Sequence, residues 1–275
     1  MSIIRYNAPT NILVFTKGHP FERDAFFSVF ESFEDIAYTA VEQPAAQRFC
    51  TVNNAAPYDA FVLYDMPGID FLAEDSPQFI DPSEEYKTGL LELLEAGHGF
   101  VFLHHAIAGW PAWPEYAEIV GGRFLYRPGE LRDRDCPDSG YRHEVDHKVS
   151  AVQTDHPVTT GLEGGFEVND ELYLYEVFEE SVDPLFVSDY SFTEENFYSA
   201  EQAVKGNMFS REGWQHRPGS NLVGWVKHYG NSPIVYLQFG DAPPTYQNPH
   251  FAKALENAIK WVASDEAKAW ARART

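Results

Sequence analysis

The chain has 275 residues, 42 of them acidic and 20 basic, for a formal charge of −22. That excess excludes a surface for nucleic acid or anionic membrane, both of which need clustered Lys and Arg, and most of it reads as a solubility device. With 44% hydrophobic and 15% aromatic residues a large core is within reach and the composition argues against disorder, while no stretch approaches the roughly 20 apolar residues of a membrane span.

The N-terminal Met1-Ser-Ile-Ile-Arg-Tyr-Asn7 lacks the apolar region of a secretory signal. Asn11 to Thr16 reads as a first strand, ending in the turn-forming Lys17-Gly18-His19-Pro20. Phe21 to Phe33 has Phe26, Phe27, Phe30 and Phe33 at helical spacing. Ile36 to Val41 and Tyr58 to Tyr64 read as the next strands, the latter ending in Asp65-Met66-Pro67-Gly68. Asp81-Pro82 is expected to cap and open a helix whose inner face is Tyr86, Leu90, Leu93 and Leu94, with Gly97 as its stop. Phe100 to Leu103 is an apolar run with no polar residue, which reads as a strand buried on both faces. It halts at His104-His105, followed by small residues and Gly109.

This alternation predicts an α/β fold with a mainly parallel sheet and right-handed crossovers. In open α/β sheets ligands bind outside the carboxyl ends of the strands. The loops carrying His19, Asp65 and His104–His105 therefore share one functional edge. No GxGxxG follows the first strand and no GxxxxGK[ST] occurs, so neither dinucleotide nor nucleoside triphosphate binding is indicated.

Trp110 to Tyr116 reads as a loop entering a short helix that ends at Gly121-Gly122, and residues 127–140 as a polar surface excursion. Tyr141 to Val152 alternates as a strand, with His143, Val145, His147 and Val149 on one side. His156 sits in a tight turn over 155–162, where it holds the loop. Phe166 to Phe178 is an aromatic strand-like run containing the acidic pair Asp170-Glu171, and Leu185 to Ser188 is another strand. Residues 196–219 are polar and take no assignment. Leu222 to Val226 and Pro233 to Phe239 are strands, Gly240-Asp241 is a further strand-end loop, and Pro249 to Ala263 is a closing helix with a helical tail beyond it. There is no repeat or linker, so one domain over 1–275 is expected, with its core at 11–263 and the tail at 264–275. The two cysteines, Cys50 and Cys136, form no CxxC, which fits a reducing, cytoplasmic setting.

Five stretches in order, Gly99 to Ala106, Glu118 to Phe124, Asp155 to Leu162, Asp170 to Tyr173 and Asn248 to Trp261, resemble the ThuA-like (trehalose utilisation) family. The resemblance implies a flavodoxin-like three-layer sandwich of the class I glutamine-amidotransferase-like type. It also implies bacterial sugar catabolism alongside oxidoreductases that make 3-keto sugars. Many members carry Gly-His after the last strand, where this chain has Gly240-Asp241. Glutamine amidotransferases place a cysteine on a strained elbow after a central strand. Here that position is His104–His105, and neither cysteine follows a buried strand, which excludes glutamine hydrolysis by that route.

The candidate catalytic groups are His104 and His105 at the strand end and Asp170 and Glu171, since carboxylates in an aromatic run are costly without a partner. Neighbours on a strand face opposite ways, so one of the acidic pair is expected to reach the site. His19, Asp65 and Asp241 on strand-end loops, with Trp110 and Trp113 as stacking rings, are the candidate substrate-binding residues. His143 and His147 chelate together only on a helix, so no metal site is expected from them. The expectation is no cofactor, with a divalent ion held by His19, His104 or His105 and a carboxylate as the minority reading. The partner is a small-molecule sugar, with no nucleic acid and no membrane, and the aromatic content suits a homo-oligomer. The sequence thus predicts a ThuA-like sugar-catabolism protein acting on a keto-glycoside or disaccharide derivative. Its expected chemistry is histidine and carboxylate acid–base work, giving elimination, hydrolysis or isomerisation. The alternatives are a non-catalytic sugar-binding or scaffold module and a metal-dependent hydrolase.

Overall fold

The structure, a computed structural model, describes residues 4–275. Residues 1–3, part of the segment read as lacking a secretory signal, lie outside it. The helices are α1 (Arg23–Glu31), α2 (Val52–Ala55), α3 (Glu84–Ala96), α4 (Pro114–Val120), α5 (Ala200–Val204), α6 (Pro243–Tyr246), α7 (Pro249–Ala263) and α8 (Asp265–Arg272). Ten strands build the central sheet: β1 (Thr10–Lys17), β2 (Ile36–Glu42), β3 (Ala60–Asp65), β4 (Gly99–Leu103), β5 (Gly140–Ala151), β6 (Phe166–Leu174), β7 (Asp183–Ser188), β8 (Tyr198–Ser199), β9 (Leu222–Tyr229) and β10 (Ser232–Leu237). Their order is β6-β5-β7-β9-β10-β4-β3-β1-β2, with β8 paired to β5. The strands β2, β1, β3, β4 and β10 run parallel. From β10 the sheet continues antiparallel through β9, β7, β5 and β6.

Strict alternation sorts the core into two faces. Val101 and Leu103 of β4 join Ile12, Val62, Val235 and the inner sides of α1, α7 and α8. Phe100 and Phe102 join Leu13, Phe61, Ile234 and the inner sides of α3 and α4. The result is helix, sheet, helix, the three-layer sandwich expected for a parallel sheet covered on both sides. No helix among the described residues is long and apolar enough to cross a membrane.

Three local expectations need correction. The helix expected to open at Asp81-Pro82 starts later. Ser83 is its cap, its Oγ accepting from the Tyr86 amide at 3.2 Å, and Asp81 and Pro82 lie before it. The face expected to hold His143, Val145, His147 and Val149 is broken by a β-bulge between Arg142 and Val145, with Glu144 at φ 54°. Two residues oppose one there. Val145 and Val149 keep to the α7 face, while Tyr141 and His143 pack ring to ring at 5.1 Å on the other. The run 166–178 leaves β6 after Leu174 and pairs again, through Glu176–Val177, with Gly122–Arg123. The unassigned stretch 196–219 supplies β8 and α5, where Ser199 caps by accepting from the Gln202 amide at 3.0 Å.

Close approach of α7 to β4 requires Gly99, because a Cβ there would meet the Val262 carbonyl oxygen at 2.2 Å. Gly99→Ala is therefore predicted to lower stability by about 1–3 kcal/mol through overpacking, read as a lower urea midpoint. An unchanged midpoint would mean that α7 yields at no cost.

Candidate functional site

The carboxyl edge of the parallel strands gathers the chemistry. β4 ends at Leu103, and His104 turns the chain at φ 45° into a short 3₁₀ turn. A non-glycine residue at positive φ is uncommon, and such backbone collects at functional sites. The elbow is pinned from β10 and the residue after it. Tyr236 Oη donates to the His104 carbonyl at 3.0 Å, and His104 Nδ1 lies 2.5 Å from the Gln238 carbonyl oxygen. A carbonyl only accepts, so Nδ1 carries a hydrogen. The other nitrogen, Nε2, lies 3.0 Å from Glu171 Oε2, 2.8 Å from Tyr173 Oη and 3.5 Å from Asp241 Oδ1. Burial pulls the imidazole pKa down, but the Glu171 hydrogen bond and the charges of Asp241, Glu171 and Asp170 outweigh it and raise it to about 9.

β6 splits the acidic pair as strand alternation requires. Asp170 accepts from the Gly240 amide at 2.6 Å and the Asp241 amide at 3.0 Å, so it anchors the loop that presents Asp241. Burial, opposed by the His104 charge, pushes Asp170 up to about 7. Glu171 faces the histidines: Oε2 meets His104, and Oε1 lies 3.2 Å from His143 Nδ1. Burial would raise Glu171, yet the hydrogen bond and charge of His104, the charge of His143 and the Tyr173 hydroxyl hold it below the ordinary carboxylate range. His143 arrives only because the bulge turns it to this face; strict alternation from Val145 placed it on the other side.

His105, 1% exposed, is the opposite case. Neither ring nitrogen has a hydrogen-bond partner. Its ring stacks on His19 with centroids 4.2 Å apart and tilts against Tyr64 at 4.4 Å. Burial, then the neighbouring His19 and His104, hold its pKa well below 6.5. His19 is also lowered, chiefly by burial, against the pull of Glu171 and Asp241. Its loop bends through Lys17 at φ 98° and Gly18 at φ 102°. A Cβ on Gly18 would sit 2.3 Å from the Met66 carbonyl oxygen, so glycine is what lets the loop close. Asp241 is raised by burial, the His104 charge opposing.

A pocket of about 160 Å³ opens beside these groups, lined by His19, His143, Glu171, Tyr173 and further aromatic residues. Ala200, Ala203 and Met208 form one wall, so the stretch left without assignment encloses the site. Its Ser199-x-x-Gln202 pattern, a capping box, was the available signal. The other sequence candidates lie elsewhere. Trp110 and Trp113 are buried against Tyr86, at 5.2 and 6.3 Å between centroids, in the layer under α3. Asp65 is buried at the end of β3, accepting from Gln43 Nε2 at 2.6 Å, and burial raises it to about 6. His156 holds its own turn, Nδ1 accepting from the Val158 amide at 3.2 Å. Cys50 and Cys136 are buried and free, outside the groups lining this pocket.

The family model described as ThuA, trehalose utilisation, matches residues 11–262. The chain belongs to the ThuA family. Solved structures agree in fold. A protein described as ThuA-like from Parabacteroides merdae superposes with a TM-score of 0.65 at 18% identity, over 93% of this chain and 90% of that one. A second ThuA-like protein, from Bacteroides uniformis, gives 0.58 at 15% identity, over 96% and 95%. A protein described as cytoplasmic from Salmonella typhimurium gives 0.53 at 10% identity, over 92% and 98%. At these identities the likeness carries the fold alone. No curated protein matches the chain. The ThuA match spans every residue of the site, from His19 to Asp241.

Asp170 is the anchor whose removal the site should feel first. Asp170→Ala orphans two backbone amides at about 1–3 kcal/mol each. It is predicted to lower stability by about 2–6 kcal/mol in urea denaturation; an undisturbed midpoint would show that the Gly240-Asp241 loop is held by other contacts.

Proposed function

We propose that this ThuA family member is an enzyme performing acid–base chemistry on a sugar-derived carbonyl compound, a keto-glycoside or related disaccharide derivative. The observation that carries the proposal is the Glu171 carboxylate, set between His104 at 3.0 Å and His143 at 3.2 Å on the wall of the pocket. A keto group acidifies the neighbouring C–H. Glu171 takes that proton, and the enolate forms in a site that already holds the His104 imidazolium. Collapse of the enolate expels the glycosidic oxygen at the β carbon, which takes a proton from His143, half-exposed at the pocket. Water adding to the resulting double bond completes hydrolysis, and reprotonation at carbon without expulsion gives isomerisation instead.

These roles differ from the sequence expectation of a histidine base and a carboxylic acid. Both ring nitrogens of His104 meet acceptors, so it has no lone pair to offer, while Glu171 is ionised and faces the pocket. Aromatic rings with no Lys or Arg among the lining residues suit the apolar face of a neutral sugar and offer nothing to a phosphate. The family description, trehalose utilisation, points to the same substrate class.

The test is turnover on 3-keto derivatives of trehalose and sucrose. Glu171→Gln and His143→Ala are each predicted to lower kcat by about 10²–10⁴-fold, with circular dichroism unchanged. Full turnover in both variants would end this assignment.

A further inference from the structure

Three donors at this edge take no part in the chemistry above. A ring nitrogen of His19, a ring nitrogen of His105 and a carboxylate oxygen of Asp241 all lie within 4.8 Å of one another. His105 is the unexplained member, an imidazole with 1% exposure and no partner on either nitrogen. A buried polar atom left unpaired is costly, so an imidazole with two of them calls for a ligand. His19 is prepared for the same role. Its Nδ1 lies 2.8 Å from the Pro20 carbonyl oxygen, so Nδ1 carries the hydrogen and Nε2 keeps its lone pair. A backbone carbonyl fixing the far nitrogen in this way is the usual support of a metal-binding histidine. Asp241 is oriented in turn by Asp170 through its amide.

A second convergent set, His104, Glu171 and Asp241, shares the same aspartate. It is the poorer binder, because His104 spends both nitrogens on the Gln238 carbonyl and on Glu171.

We propose that His19, His105 and Asp241 bind one divalent transition-metal ion of the zinc class. Two imidazoles and one carboxylate favour such an ion over magnesium or calcium, which take all-oxygen sets. Three protein ligands leave a coordination position for water or a substrate oxygen. The ion would offset the Asp241 charge and occupy one of the two unpartnered His105 nitrogens. The site is independent of the substrate assigned above, and its test reads metal content rather than turnover.

The experiment uses the full chain, stripped with chelator, reloaded with zinc or cobalt(II), desalted, and measured by elemental analysis and by isothermal titration. The wild type is expected to retain about one ion per chain, with visible ligand-field absorption in the cobalt form. His19→Ala lies on a partly exposed loop and keeps the core intact. It is expected to weaken binding by more than ~100-fold, beyond the ~10–100-fold cost of losing an outer support. His105→Ala is expected to match it, and His143→Ala to bind as the wild type does. A wild type that retains no ion, or retention unchanged in both His19→Ala and His105→Ala, overturns the proposal.

Discussion

The buried contact between His104 and Glu171 is the constraint on which this edge of the molecule depends. Both partners are all but sealed from solvent, at 0% and 4% side-chain exposure. A lone charge in such a place is prohibitive, so each is tolerated only because the other is there. The pair also ties three distant parts of the chain: the end of β4, the middle of β6 and, through the Gln238 carbonyl, the end of β10. Its cost is met by the fold around it, and its consequence is a carboxylate kept ionised at the rim of an aromatic pocket.

Two consecutive histidines, His104 and His105, end in opposite electrostatic states. The elbow at φ 45° aims His104 at acceptors on both nitrogens, which raises its proton affinity. The same turn sends His105 under His19 and Tyr64, where neither of its nitrogens finds a hydrogen-bond partner and its proton affinity falls. Asp241 lies between the two and belongs to both convergent sets. Asp170, the neighbour of Glu171, works one layer back, holding the loop that carries Asp241. Environments that drive paired groups apart in this way are how one site comes to hold an acid and a base together.

Much of this was legible from the chain alone. The apolar run 100–103 stopping at two histidines announces a buried parallel strand and a site at its end. The alternation of strands and helices announces the sandwich. What could not be read is where long-range packing overrides local pattern. Nothing in Arg142-His143-Glu144-Val145 advertises a bulge, since Glu144 is neither glycine nor asparagine, and without the bulge His143 points away from Glu171. Trp110 and Trp113 follow the histidines in sequence, but the turn after the elbow carries them beneath α3 instead of over the pocket. The acidic pair was recognisable as an anomaly in an aromatic strand. Which member faces inward depends on the register of β6 against β5, which only the folded sheet sets.

The most direct test of the account is a crystal structure of the protein with a bound 3-keto sugar or its unreactive analogue. The account predicts the sugar ring against Tyr173, with an oxygen or the acidic carbon within about 3.2 Å of Glu171 and another oxygen toward His143. A sugar seated elsewhere, such as against Trp110 and Trp113, would contradict it.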